Sequence, residues 1–383
     1  MKKKKAFIIF LLAVVVFSAF FNVKTVKADD FDSVLENELN NLDLSELTEF
    51  LDVTEADFSV ALLVEKMIKG EYEINYGSFI KYFIKTALGK INLFLPDFFL
   101  ILAILLLGSL FKNTKGYVLS EELSKIISFI FVGSILAIVL KDVSECIVST
   151  KNLLDNLSKL FEIMSPIIVT LIVAGGGTTS VTLLKPTLIM ASGGFTMVIT
   201  SVVFPLVLLF FAFSVFGALS DEVDFSGFSS TVSGVIKLTV GLSVTVFGLF
   251  SAVTGIAGRS FDGITVKVAK YLLSSSVPLV GGMVKDGLDV FLLGCSLIKN
   301  AVGIVGVFGI FYMTISPLLF NLAFSFLLRI ASSFAALLYD KNVNKMLTGV
   351  ADCIKYLNVA LLASSFVSVS CLMIMTLSVG NAI

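Results

Sequence analysis

The sequence predicts an all-α polytopic integral membrane protein, and three observations carry that expectation. The 383 residues have a mean hydropathy of +1.00. Only 15% of them are charged and 57% are hydrophobic, whereas a soluble domain carries about 25% charged residues. The apolar residues also gather into long runs, among them Leu95 to Phe111 and Val359 to Val379. Such runs suit a hydrocarbon layer ~30 Å thick, in which a helix satisfies its own backbone polar groups.

The chain opens with the pattern of an export signal over residues 1–28. Lys2, Lys3, Lys4 and Lys5 precede an apolar stretch from Ala6 to Phe21, and Val26-Lys27-Ala28 offers small residues at a cleavage site. The stretch is short for a span, with an uncleaved anchor as the alternative. Residues 29–94 then form an acidic, helical, extracytoplasmic region with 14 acidic residues and 5 lysines. Helical periodicity runs through Asp43 to Leu47 and Phe58 to Lys69. Ser78 reads as an N-cap for a stripe of Phe79, Ile80, Phe83, Ile84, Ala87, Leu88 and Ile91. That helix either lies flat in the headgroup region and leads into the first span or packs on its own ectodomain.

Residues 95–383 form the transmembrane helical domain, with about eight spans. They are Leu95 to Phe111, Ile126 to Leu140, Ile163 to Leu184, one within Thr187 to Leu219, Val232 to Gly255, two within Ala301 to Leu338, and Val359 to Val379. Gly193-Gly194 and Pro205 are places to bend the fourth. Ser316-Pro317 or Asn321 would turn the sixth into the seventh. Lys141 to Glu162 is an amphipathic loop in this scheme. Residues 274–296 form a broken or re-entrant segment, because Pro278, Gly281-Gly282, Lys285-Asp286-Gly287 and Asp289 interrupt it.

Lysine and arginine set topology. With residues 29–94 outside, the inward segments 112–125, 185–186, 256–300 and 339–358 hold twelve basic residues, and the outward 141–162 and 220–231 hold three.

Several function classes are excluded. The chain has no histidine, the commonest general base and metal ligand. Cys146, Cys295, Cys353 and Cys371 are far apart and suggest packing residues rather than a zinc site or disulfides. No catalytic constellation is present, so an enzyme is not expected, nor is a cofactor or metal. Net charge is −1, and the sparse charge offers nothing to nucleic acid. Gly175-Gly176-Gly177-Thr178-Thr179-Ser180 lacks phosphate-loop spacing.

Three groups of residues stand out. Gly234, Gly241, Gly248 and Gly255 recur every seven residues and make one helix face for close packing, either inside the bundle or between copies in a homo-oligomer. Gly175, Gly176, Gly177 and Lys185 near the inner end, with Arg329 deep in a span, are candidates for a polar path. For Arg329 a structural role, bonded to carbonyls or an acid in the bundle interior, is the alternative. Lys237 and Asp97 lie close enough to span ends to snorkel and receive no role.

Three stretches carry a family resemblance: Lys69-Gly70-Glu71-Tyr72, Leu184-Lys185-Pro186-Thr187-Leu188, and residues 253–306. The last contains Gly258-Arg259-Ser260, Asp262-Gly263, Val277-Pro278-Leu279-Val280-Gly281-Gly282 and Ile298-Lys299-Asn300. Their order, behind a signal and an acidic region, resembles the stage III sporulation protein AE family of endospore-forming bacteria. The resemblance implies a permease-like component of a trans-envelope complex between mother cell and forespore, in the mother-cell membrane around the forespore. It further implies a cytoplasmic ATPase and ring-forming partners, and a role in late forespore development. On this reading Lys267, Lys270, Pro278, Gly281, Gly282 and Lys299 form a cytoplasmic docking region. A secondary transporter of a small solute and a non-transporting scaffold recruiting partners are the rival functions.

The signal reading predicts a mature chain that begins at Asp29. N-terminal sequencing of the protein from a secreting bacterial host checks it, and recovery of Met1 or Lys2 in the membrane-bound protein would contradict it.

Overall fold

The computed structural model describes residues 44–53, 64, 66, 76–113, 121–189, 193–219, 225–276, 281–338 and 341–377. The export signal, most of the acidic region and Pro278 lie outside the described residues. Among the described residues every regular element is helical. The elements are α1 (Ser45–Val53), α2 (Tyr76–Asn113), α3 (Glu121–Ala174), α4 (Thr178–Ile189), α5 (Phe195–Val198), a π-helical turn (Ile199–Val203), α6 (Phe204–Leu219), α7 (Ser226–Ser276), α8 (Gly281–Leu338) and α9 (Lys341–Leu377).

Among the described residues six stretches are long and apolar enough to cross a membrane: Ile80–Phe111, Phe129–Ala174, Phe195–Gly217, Gly227–Thr254, Phe291–Leu338 and Val343–Thr376. Among the described residues two pairs of the eight expected spans therefore lie in single helices. Lys141 to Glu162 is the middle of α3, not a loop, because six of its seven charges lie along one face and leave the helix intact. The two spans expected in Ala301 to Leu338 are one helix. Pro317 lies inside α8 and costs it the hydrogen bond to the Met313 carbonyl without ending it. Residues 281–296 are the opening turns of that same helix, so the interruption expected over 274–296 is confined to the junction of α7 and α8. The stripe after Ser78 likewise continues through Pro96 into the first span as one helix, with Ile80, Ile84 and Leu88 facing outward.

Two true breaks have clear causes. At the end of α3, Gly176 adopts φ 82°, a conformation that favours glycine. The Gly177 N–H bonds to the Ile172 carbonyl at 2.8 Å and the Gly176 N–H to that of Val173 at 2.9 Å, which is a Schellman stop. The span expected over Ile163 to Leu184 is thus cut in two. Ahead of Pro205, the Phe204 N–H reaches back five residues to Ile199, a widened turn beside the proline, which has no N–H to give.

The helices alternate in direction. Tyr82 stacks on Tyr312 and Phe94 meets Phe320, so α2 and α8 run parallel. Thr150 pairs with Asn321 and Met164 meets Gly306, so α3 opposes α8. Ser332 meets Thr348 and Thr314 meets Ser365, so α9 opposes α8. Gly349 abuts Ser214, and Gly217 abuts Phe225, so α6 opposes α9 and α7 opposes α6. Among the described residues this alternation points the start of α2, the end of α7 and the start of α8 the same way along the bundle. The lysine count, by contrast, sets residues 29–94 and 256–300 on opposite sides of the membrane.

At the centre stands α8, packed by α2, α3 and α9. Its glycines admit close neighbours. A Cβ on Gly303 would collide with Thr376, one on Gly306 with Met164, and one on Gly309 would come within 2.8 Å of Leu51. Leu51 and Leu47 of α1 are fully buried, so the helix of the acidic region is docked on the bundle. By contrast a Cβ on Gly234, Gly241 or Gly248 would meet nothing within 4 Å. The heptad stripe faces outward, which removes packing inside the chain as its explanation.

Gly306→Leu should therefore destabilise the protein by about 1–3 kcal/mol through overpacking, while Gly241→Leu leaves stability unchanged. Thermal midpoints of the detergent-purified variants measure the contrast; equal midpoints would contradict the packing.

Candidate functional site

Two polar features organise the bundle. The first is a buried seam on α8. The Asn321 amide donates to Thr150 Oγ1 at 3.1 Å, and Thr150 in turn donates to the Cys146 carbonyl at 2.8 Å. Thr314 pairs with Ser365 at 2.8 Å, Ser325 donates to the Ala351 carbonyl at 3.3 Å, and Ser332 pairs with Thr348 at 2.7 Å. Lipid supplies no hydrophobic drive between helices, so small residues and interhelical hydrogen bonds hold them together. These residues punctuate apolar runs and have no spacing rule of their own; among them only Asn321 stands out in the sequence, as an alternative to Ser316-Pro317 for a turn.

The second feature is the outer face of α3. Lys141, Glu145, Lys151, Asp155, Lys159 and Glu162 are all exposed and fall within an arc of roughly 120° at 3.6 residues per turn. The opposite face, with Val143, Leu153, Leu157 and Phe161, is buried. Thr150 lies level with Asn321, and Met164 with Gly306, which sets residues 150–164 beside the 306–321 part of α8 and Lys141 to Ser149 beside the part that follows Asn321. Through Thr314–Ser365 and Gly303–Thr376 the same height includes residues 359–373 of α9. There Val359, Leu362 and Phe366 are exposed. Lys237 of α7 lies over the Tyr356 ring at 5.8 Å, and Leu238, Leu242, Val246, Leu249 and Val253 beyond it are exposed. One flank of the bundle is thus charged at the depth where the other is apolar. A bilayer suits the apolar flank; charged groups at that depth face water or protein.

The anticipated polar path is not one assembly. Gly175, Gly176 and Gly177 make the turn after α3, about ten residues beyond the level of Gly306. Arg329 lies 23 residues from Gly306 in the other direction, about 35 Å along α8. Arg329 is 48% exposed and pairs with Asp352 of α9 at 2.9 Å, so its partner acid is identified, at the bundle surface rather than within it. Of Lys185, Lys267, Lys270, Gly281 and Gly282 only the backbone is described, in α4, α7 and α8; Gly255 is likewise backbone in α7. Lys299 is 2% exposed and buried within the chain, so it does not belong on a docking surface. Cys146, Cys295, Cys353 and Cys371 are all buried without disulfides.

These features define a class: a multi-pass α-helical membrane protein with one charged flank. The comparison with protein families gives the particular one. Residues 58–380 match the model of stage III sporulation protein AE, and the chain belongs to that family. Among curated proteins, the stage III sporulation protein AE of Bacillus subtilis (strain 168) is 23% identical over 168 residues, 44% of this chain and 42% of the relative. The aligned part thus spans less than half the length of that curated relative. No solved structure matches.

Thr150→Val should cost about 1–3 kcal/mol by leaving the buried Asn321 amide without an acceptor, and adding Asn321→Leu should restore much of it. Thermal unfolding of the two variants reads the coupling; additive losses would contradict it.

Proposed function

We propose that the protein is the membrane-embedded, permease-like component of a channel complex that joins the mother cell to the engulfed forespore, with the charged flank of α3 turned toward its aqueous path. Family membership supports the sporulation setting, and the flank carries the channel reading. Four alternating charges, Lys151, Asp155, Lys159 and Glu162, at the depth of an apolar opposite flank, are costly in contact with lipid. They become favourable when they line water or meet a matching charged surface.

The export signal favours residues 29–94 outside the mother-cell cytoplasm. Helix alternation then carries the α7–α8 junction to that same side. The cytoplasmic faces are the connections between α2 and α3, α6 and α7, and α8 and α9. A soluble ATPase would dock there, and ring-forming partners would assemble on the side of the acidic region. A scaffold that conducts nothing would instead keep the α3 flank sealed by partner protein.

Single cysteines at Lys151 and Asp155, introduced with the four native cysteines replaced, should react with a membrane-impermeant maleimide in sporulating cells. Cysteines at Leu242 and Leu249 should not. Asp155→Lys should lower the count of heat-resistant spores, and deletion of the gene should stall development after engulfment. Unreactive α3 positions together with normal spores in the deletion strain would refute the proposal.

A further inference from the structure

Near the start of the charged face of α3, one acid points the other way. Asp142 is 2% exposed, and its Oδ2 has no hydrogen-bond partner. The carboxyl lines a small pocket with Phe94, Phe98 and Ile101 of α2 and Phe324, Leu327 and Leu328 of α8. The space suits a single water-sized species. Asp97 of α2 is an electrostatic neighbour of Asp142, and its Oδ2 pairs with Lys141 Nζ at 3.5 Å. The nearby Lys141 ammonium is thus engaged by Asp97 on the outer side.

A pair of ionised carboxylates has only acceptors to offer one another, so without a proton neither can satisfy the other. Burying a second uncompensated negative charge among phenylalanine and leucine side chains would be costly. The other titratable groups facing Asp142 are Asp97 on α2 and Lys141, Glu145 and Cys146 on α3 itself. The α8 wall of the pocket is entirely apolar.

We infer that Asp142 and Asp97 form a reversible proton-binding site in the seam between α2, α3 and α8. The proton resides on a carboxyl oxygen of the pair and exchanges with water at the pocket; no other bond is made or broken. An alkali cation is a poorer fit, because a hard cation takes several oxygen ligands and the other pocket walls are hydrocarbon. The site resides in a single chain, so its test is independent of any channel or partner.

The experiment is pH-difference infrared spectroscopy of the full-length protein in lipid nanodiscs, titrated between about pH 5 and pH 9, above the ordinary carboxyl range, so that solvated carboxyls stay ionised. The wild type should show a protonated-carboxyl C=O band that titrates, and Asp142→Asn should lose it. Asp97→Asn removes the neighbouring negative charge, so it should move the midpoint to lower pH. Exchange of sodium for potassium should leave the band unchanged. Superimposable spectra of wild type and Asp142→Asn would overturn the inference, as would a midpoint unmoved by Asp97→Asn or set by sodium. Should Asp142→Asn fail to yield folded protein, the Asp97→Asn midpoint and the sodium exchange decide the matter.

Discussion

Helices in lipid attract one another only through close packing and polar contacts, and α8 is built around that constraint. Its first half presents Gly303, Gly306 and Gly309 to Thr376, Met164 and Leu51, so neighbouring chains approach where no side chain intervenes. Its second half presents Thr314, Asn321, Ser325 and Ser332 to α3 and α9. Each hydrogen bond is modest alone, but a shift of α8 along its axis would break several together. The register of α2, α3 and α9 against α8 follows from these contacts, and the charged flank is placed by that register.

Much of the fold is legible in the sequence, and the limits have physical causes. Apolar runs identify helices that can enter lipid, which is why an all-helical multi-pass chain follows from composition. Runs do not reveal continuity. A helix can carry charges along one face without ending, as α3 does from Lys141, and hydropathy records that stretch as a loop. Pro317 reads as a turn because proline removes a hydrogen bond, yet a helix packed on three sides tolerates the loss. Conversely, Gly175 to Gly177 reads as a loosened span and is a complete stop, because Gly176 adopts a backbone conformation that costs other residues energy.

The site was less legible than the fold. A heptad of glycines is conspicuous, but nothing in its period says whether the face meets protein or lipid; in this chain it meets neither from within. Gly303, Gly306 and Gly309 look less regular and are the ones that pack. Arg329 was conspicuous as a deep charge, and its partner Asp352 lay outside the assumed span. Asp142 was hidden among ordinary amphipathic charges. Its position one residue after Lys141 turns it about 100° away, toward Phe324 and Leu328.

The length of α8 has a mechanical consequence. Its 58 residues extend about 87 Å, nearly three times the hydrocarbon thickness of a bilayer. With no break between Gly281 and Leu338, the helix is a lever whose far arm projects beyond the lipid. A push or twist on the Gly281 end arrives at Ser332 as tilt rather than being absorbed on the way. Only Pro317, with its missing hydrogen bond, offers a softer joint, and it sits between the two arms.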